Sequence, residues 1–225
     1  MRIQSLNVGK PRLVEHKGER VWTGIYKDAS DAPLMARKLN IDGDQQADPG
    51  VHGGIDKAVY AFPCEHYGYY QQQLGQQDYA PGQFGENLTT EGLLESRVHI
   101  GDRYRTGGAL LEVSQPRSPC YKFAIRMGVA EALAVCINSA RTGFYLRVLR
   151  EGEIRAGDAI ELEYANLEAP TVEAVHRLYY LDRRNLEGLR QAVLCDRLAA
   201  DFRDEFRARL EKIESASQSS ISEEH

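Results

Sequence analysis

The segment Gln115-Pro116-Arg117-Ser118-Pro119-Cys120-Tyr121-Lys122 holds the residue types that point most sharply to chemistry. Two prolines stiffen this loop, and Cys120 opens a stretch of helical composition. A cysteine at a helix start between two cations has its thiolate favoured. A thiolate is what a soft metal, or sulfur chemistry, requires. A papain-type nucleophile is a poor fit, because no signature of that family surrounds Cys120. An ordinary loop cysteine would read the same way, so the segment alone leaves both meanings open.

Three further segments could hold a ligand. Asp48-Pro49-Gly50-Val51-His52-Gly53-Gly54-Ile55-Asp56-Lys57 has adjacent glycines, which let backbone approach a ligand closely. His52 and Lys57 could face that ligand, although a structural turn with a surface histidine gives the same pattern. The GxxxxGK[ST] spacing of a Walker loop is absent. Phe84-Gly85-Glu86-Asn87-Leu88-Thr89-Thr90 offers Asn87 and Thr89 to a heterocycle edge or a phosphate, or is simply a turn. Ser139-Ala140-Arg141-Thr142-Gly143-Phe144-Tyr145-Leu146-Arg147 offers Arg141, Thr142 and Arg147 to a phosphate, or is a helix-to-strand turn broken at Gly143.

Composition narrows the classes. The net charge of −5 disfavours a generic nucleic-acid binder. From Val113 to Arg150, however, Glu131 is the sole acid among Arg117, Lys122, Arg126, Arg141, Arg147 and Arg150. A locally basic segment in an acidic protein fits a small anionic ligand, or a solvated basic face. No apolar run approaches the roughly 18–20 residues that span a bilayer. The first residues do not read as a secretory signal, so a cytoplasmic protein with reduced thiols is expected. Of the four cysteines, none forms a CxxC pair, which leaves a zinc ribbon or iron–sulfur cluster without support. Cys136 and Cys195 sit among apolar residues and read as buried structural thiols, while Cys64 is ambiguous.

These segments must be positioned by a mainly β framework with short helices. Strand patterns occur at Arg2–Val8, Glu19–Tyr26, Ala58–Phe62, Leu110–Ser114, Phe144–Leu149 and Ala159–Tyr164. Gly43-Asp44, Gly101-Asp102 and Gly157-Asp158 read as turns between them. Many short strands with regular turns indicate a barrel or sandwich. Helical composition covers Cys64–Leu74 and Tyr121–Ile137. Near Pro170 the pattern changes. Val172, Val175 and Leu178 follow a Thr171 cap; Leu186, Leu189 and Val193 mark a second helix; Leu194, Leu198, Phe202, Phe206 and Leu210 form a stripe along a third. The division expected is a β domain over 1–168, a three-helix unit over 169–213 and a disordered polar tail over 214–225.

At these motifs the sequence resembles the MOSC family, the C-terminal domain type of molybdenum-cofactor sulfurases. GVHGGIDKAVYAFP, FGENLTTEGL, QPRSPCYKF and GFYLRVLREGEIRAGD are similar to its motifs and follow its order. The resemblance covers nearly everything before the polar tail and extends to stand-alone bacterial members carrying three C-terminal helices. It implies a β-barrel and a molybdenum cofactor (molybdopterin) whose metal is ligated by the motif cysteine, here Cys120. It implies reduction of N-hydroxylated bases and related N-oxygenated compounds, of the 6-N-hydroxylaminopurine detoxification type. No aminotransferase-like domain with its pyridoxal phosphate accompanies this form. On this reading Cys120 and His52 are catalytic, and Lys57, Asn87, Arg117, Lys122, Arg141, Thr142 and Arg147 bind the cofactor. The partners are an N-hydroxylated small molecule and a separate electron-donating reductase, with neither nucleic acid nor membrane, in a monomer or homodimer. Two alternatives stand beside it: a sulfur-transfer protein using a Cys120 persulfide, and a non-catalytic carrier of the cofactor.

Overall fold

The computed structural model describes residues 1–75 and 78–222, without the side chains of 51, 52 and 217–222. One eight-stranded sheet dominates. Its strands are β1 (Arg2–Val8), β4 (Asp28–Ala29), β6 (Val59–Pro63), β7 (Leu88–Glu91), β8 (Arg103–Thr106), β9 (Ala109–Pro116), β10 (Phe144–Arg150) and β12 (Glu161–Tyr164). They run in the order β12-β8-β9-β10-β6-β7-β1-β4, and every pairing is antiparallel except the parallel β6–β7. Two small ribbons flank it: β2 (Arg12–His16) with β3 (Glu19–Thr23), and β5 (Leu34–Ala36) with β11 (Gly152–Ile154). The sheet curls on itself. The Ile3 amide donates to the Asp158 carbonyl at 3.0 Å, Gly157 to Ile3 at 2.8 Å and Ile160 to Met1 at 2.9 Å, so β1 meets the segment leading into β12. The three Gly-Asp turns form as read, with Gly43, Gly101 and Gly157 at φ of 88, 86 and 90°.

Side-chain alternation separates two cores. Along β10, Phe144, Leu146 and Val148 point into the barrel, while Tyr145 and Arg147 point out. Along β6, Val59 and Ala61 face the barrel interior, whereas Tyr60 and Phe62 join an outer aromatic cluster with Tyr70, Phe84 and Phe123. Phe62 and Phe84 stack with ring centroids 3.9 Å apart. This outer layer is covered by α2 (Tyr67–Leu74), α3 (Tyr121–Met127) and α4 (Ala132–Ser139). The continuous helix expected over Tyr121–Ile137 is therefore two, broken at Gly128, whose φ of 68° ends α3 in the left-handed region.

The C-terminal helices are α5 (Val172–Tyr180), α6 (Leu186–Leu194) and α7 (Ala200–Ser222). Thr171 caps α5 by accepting from the Ala174 amide at 3.1 Å, and Asn185 caps α6 the same way from Gly188 at 2.9 Å. The apolar stripe does not lie on one helix. Leu194 ends α6 with 82% of its surface exposed, and Leu198 precedes α7. Val172, Val175, Leu178, Leu189, Leu198, Phe202 and Phe206 share one buried cluster with the barrel interior, so the unit has no core separate from it. α7 runs on to Ser222, past residue 213 where the polar composition predicts order to end. Extending an existing helix adds one backbone bond per residue fixed and needs no new nucleus. Residues 223–225 lie outside the described part. No described helix is long and apolar enough to cross a membrane.

Candidate active site

A cleft opens over the outer face of the sheet where β6, β10 and the cysteine loop meet. Cys120, Arg117 and Lys122 line it, as do Lys57 and Asn87. The structure thus gathers five sequence-predicted residues from three separate segments. Cys120 has an extended backbone (φ −123°, ψ 174°) and accepts from the Phe123 amide at 2.9 Å, so it stands just before α3. With only seven residues, α3 supplies little dipole, and the electrostatics at Cys120 rest on the side chains around it. Burial pushes Cys136 up to about 11 and raises Cys64 and Cys195 as well, which keeps all three protonated.

Arg117 is the most unusual group here. It is 7% exposed. Its guanidinium carbon lies 5.2 Å from the Phe123 ring centroid and 5.5 Å from that of Tyr60. Its Nη1 has no hydrogen-bond partner, and no carboxylate pairs with it, among the described residues. Aromatic faces attract a cation, but burying one without an anion is costly. Lys57 stands at the same cleft, paired at 3.7 Å with Asp201 of α7.

The remaining predicted residues are placed elsewhere or are otherwise engaged. Asn87 lines the cleft with its amide committed to protein: Oδ1 accepts from the Tyr60 amide at 3.0 Å, and Nδ2 donates to Asp44 at 3.0 Å and to the Asn7 carbonyl at 3.3 Å. Arg141 stacks on Tyr69, 3.9 Å from the ring centroid, outside the cleft lining. Thr142 is buried, and its carbonyl accepts from the Tyr60 hydroxyl at 2.7 Å. Arg147 binds Asp56, donates to Glu112 at 3.2 Å and donates to the Arg197 carbonyl at 2.7 Å. His52 ends a single helical turn, α1 (Pro49–His52), and its side chain is outside the described part. The basic segment therefore disperses. Arg126 stacks on Tyr26, and Arg150 donates to the Gly108 carbonyl at 3.2 Å.

Several lining residues carry no sequence motif. Lys27 forms a buried ion pair with Asp44, which also accepts from the Gly9 amide at 2.9 Å. Asp44 belongs to a turn that sequence reading identified only as a turn. Tyr60 and Tyr145 contribute two phenols with ring centroids 5.4 Å apart. Burial raises the Tyr145 phenol above its ordinary value, so it keeps its proton at neutral pH. The outward parity of β6 and β10 was the available signal for this pair. Below the loop, the Glu86 carboxylate accepts from Tyr67, Gly82, Phe84 and Thr89 at 2.7–2.9 Å, which shapes the 82–89 turn around Asn87.

The family model described as MOSC domain matches residues 48–161, and the one described as YiiM-like, 3-alpha helix domain matches 170–212. The chain is 37% identical over 211 residues to YflK of Bacillus subtilis, covering 94% of this chain and 95% of that protein. The crystal structure of YiiM from Geobacillus stearothermophilus superimposes with a TM-score of 0.79 at 34% identity, covering 93% of this chain and 98% of that one. A protein of Gibberella moniliformis named Reductase is 37% identical over 148 residues, which are 64% of this chain and 26% of that protein. Matched motifs, barrel and appended helices agree, and the chain belongs to the MOSC domain family, in its YiiM-like form with a C-terminal three-helix domain.

Proposed function

We propose that this protein is a molybdenum-cofactor-dependent reductase of N-hydroxylated bases and related N-oxygenated compounds, with Cys120 as the protein ligand of the metal. The observation that carries this reading is the buried Arg117 guanidinium, unpaired at Nη1 among the described residues, in the same cleft as Cys120. The donor set fits a molybdenum–pterin phosphate. Cys120 offers a soft ligand, and Arg117 and Lys122, with Lys57, offer cations to an anionic tail. Bound there, the cofactor would supply the electron pair that breaks an N–O bond.

The chain's own residues do the rest. Converting an N-hydroxylamine to the amine takes up two electrons and two protons and releases water. Tyr145 lines the cleft and keeps its phenolic proton at neutral pH, and we assign it to hand on one of the two protons, with solvent supplying the other and restoring the phenol. Arg117 and Lys122 orient the anion, and Asn87 and Asp44 fix the wall behind it. Electrons come from a separate reductase. The fungal relative named Reductase supports the redox class.

The test is metal and pterin analysis of the purified full chain with its intact mass, followed by turnover of an N-hydroxylated base with an artificial reductant. Molybdenum with pterin and turnover is the expected result. A one-sulfur mass increase on Cys120 without metal would instead identify a sulfur-transfer protein. Molybdenum without turnover would identify a carrier. Cys120→Ser is expected to fold normally and to lose both molybdenum and turnover, because a hydroxyl is a hard, weakly acidic ligand. Full metal content in that variant would overturn the ligand assignment.

A further inference from the structure

The link between α6 and α7 is stitched to β9 and β10 beside the cleft. The Ala199 amide donates to the Ser114 carbonyl at 3.1 Å, and the Arg147 guanidinium donates to the Arg197 carbonyl at 2.7 Å. The same two residues hold the cleft loop. The Ser114 hydroxyl donates to the Asp56 carbonyl at 2.6 Å, and Arg147 grips the Asp56 carboxylate. Arg197 also lies 3.7 Å from Glu112, which Arg147 contacts from the other side. Residues 197–199 and Asp56 are thus fixed to one another through β9 and β10. Asp201 stands two residues beyond Ala199 and Lys57 one beyond Asp56, with their charged ends 3.7 Å apart.

The two sides of this ion pair are unequal. The Lys57 side chain is 18% exposed, whereas that of Asp201 is 84% exposed. A largely buried ammonium benefits from an anion beside it. An exposed carboxylate is already hydrated and loses little by giving up its partner. The other lysine–aspartate pair of the cleft contrasts with it. Lys27 and Asp44 are both buried, and Asp44 accepts in addition from Gly9 and Asn87, so that pair is locked.

We propose that Asp201 is a displaceable resident counter-ion for Lys57, so that the three-helix unit sets the affinity of the cleft for phosphate-type anions. The proposal rests on reading the cleft as an anion site and does not depend on molybdenum. Asp201 pairs with the Lys57 ammonium, and an entering phosphate group takes the place of that carboxylate. Arg147 then acts as a positioning residue, not a ligand. It sets where Asp56, and with it Lys57, stands relative to α7.

The experiment titrates the full-length protein with inorganic pyrophosphate at neutral pH and low salt, by calorimetry or phosphorus NMR. Asp201→Asn is expected to bind pyrophosphate about two- to fivefold more tightly, the range of one exposed ion pair. Lys57→Ala is expected to bind about tenfold more weakly. The double variant should match Lys57→Ala, since the effect of Asp201 runs through Lys57. Glu211→Gln makes the same charge change farther along α7 and should leave the affinity unmoved. A purely structural role for Asp201 at the helix start would shift the unfolding temperature and not the affinity. Unchanged or weaker binding in Asp201→Asn, a tightening that survives in the double variant, or no pyrophosphate binding in any form would each overturn the proposal. Molybdenum retention that depends on Cys120 stands or falls separately from these outcomes.

Discussion

Arg117 is held between two rings, buried, with Nη1 unpartnered and no carboxylate bound to it among the described residues. Such a group destabilises the fold it sits in unless a ligand supplies the missing charge. Arg117→Met keeps the apolar stem and removes the charge. It is expected to weaken cofactor binding by about 1.5–3 kcal/mol, or roughly tenfold to a hundredfold, while unfolding at the same or a higher temperature. Cofactor titration and thermal unfolding on one preparation check both. A variant that lost stability and affinity together would make Arg117 a packing residue. At this scale the sequence was informative where ligand groups are contiguous, as in Arg117, Cys120 and Lys122. It misled where a cation's partner is remote. Nothing local marks Asp56 and Glu112 as the acceptors of Arg147, because they come from other strands and loops. Lys27 and Asp44 are invisible for the same reason: neither sits in a motif, and only the fold brings them together.

α5 carries a titration of its own. His176 is fully buried, its Nε2 lies 2.7 Å from the Ile137 carbonyl at the end of α4, and burial lowers its pKa below the usual 6.5. The unfolded chain takes up a proton at this residue below 6.5, while the folded chain resists it until a lower pH. The stability from a neutral His176 is therefore complete above 6.5 and is lost as pH falls from there toward the folded-state value. The unfolding midpoint is expected to fall on mild acidification, and His176→Gln, which retains a donor for Ile137, should show a shallower decline. Equal slopes in denaturation series across that range would count against this origin. Elements with long periodic patterns were legible: β1, β6, β9, β10, α5 and α6. The missed strands β4, β5, β7, β8 and β11 span only two to four residues, too few for alternation to register. β2, of five residues, escaped because Arg12, Glu15 and His16 interrupt its apolar pattern. The stripe from Leu194 to Leu210 was read as one helix because four-residue spacing persists across the Cys195–Ala199 turn, and a spacing rule does not see a turn.

For the molecule as a whole, the three helices complete the barrel core. Sequence composition draws a boundary near residue 168 and sets the three helices apart from the β domain. The shared cluster of Val172, Val175, Leu189, Leu198 and Phe206 with Ile100, Leu111 and Val113 argues otherwise. A chain ending at Ala169 would expose apolar surface on the barrel and lose the Ala199–Ser114 bond. It is expected to be recovered as aggregate or to unfold well below the full-length protein, which light scattering and thermal unfolding would measure. A soluble, equally stable truncation would make the helices a true appendage. The seam of the barrel carries one more consequence. Met1 and Ile3 are hydrogen-bonded to Asp158, Gly157 and Ile160, so β1 takes its final partners from a segment made some 150 residues later. Contacts so distant along the chain close slowly. During synthesis β1 must wait, without its seam partners, until nearly the whole barrel has emerged, and that interval is when this protein is most exposed to mispairing and to capture by chaperones.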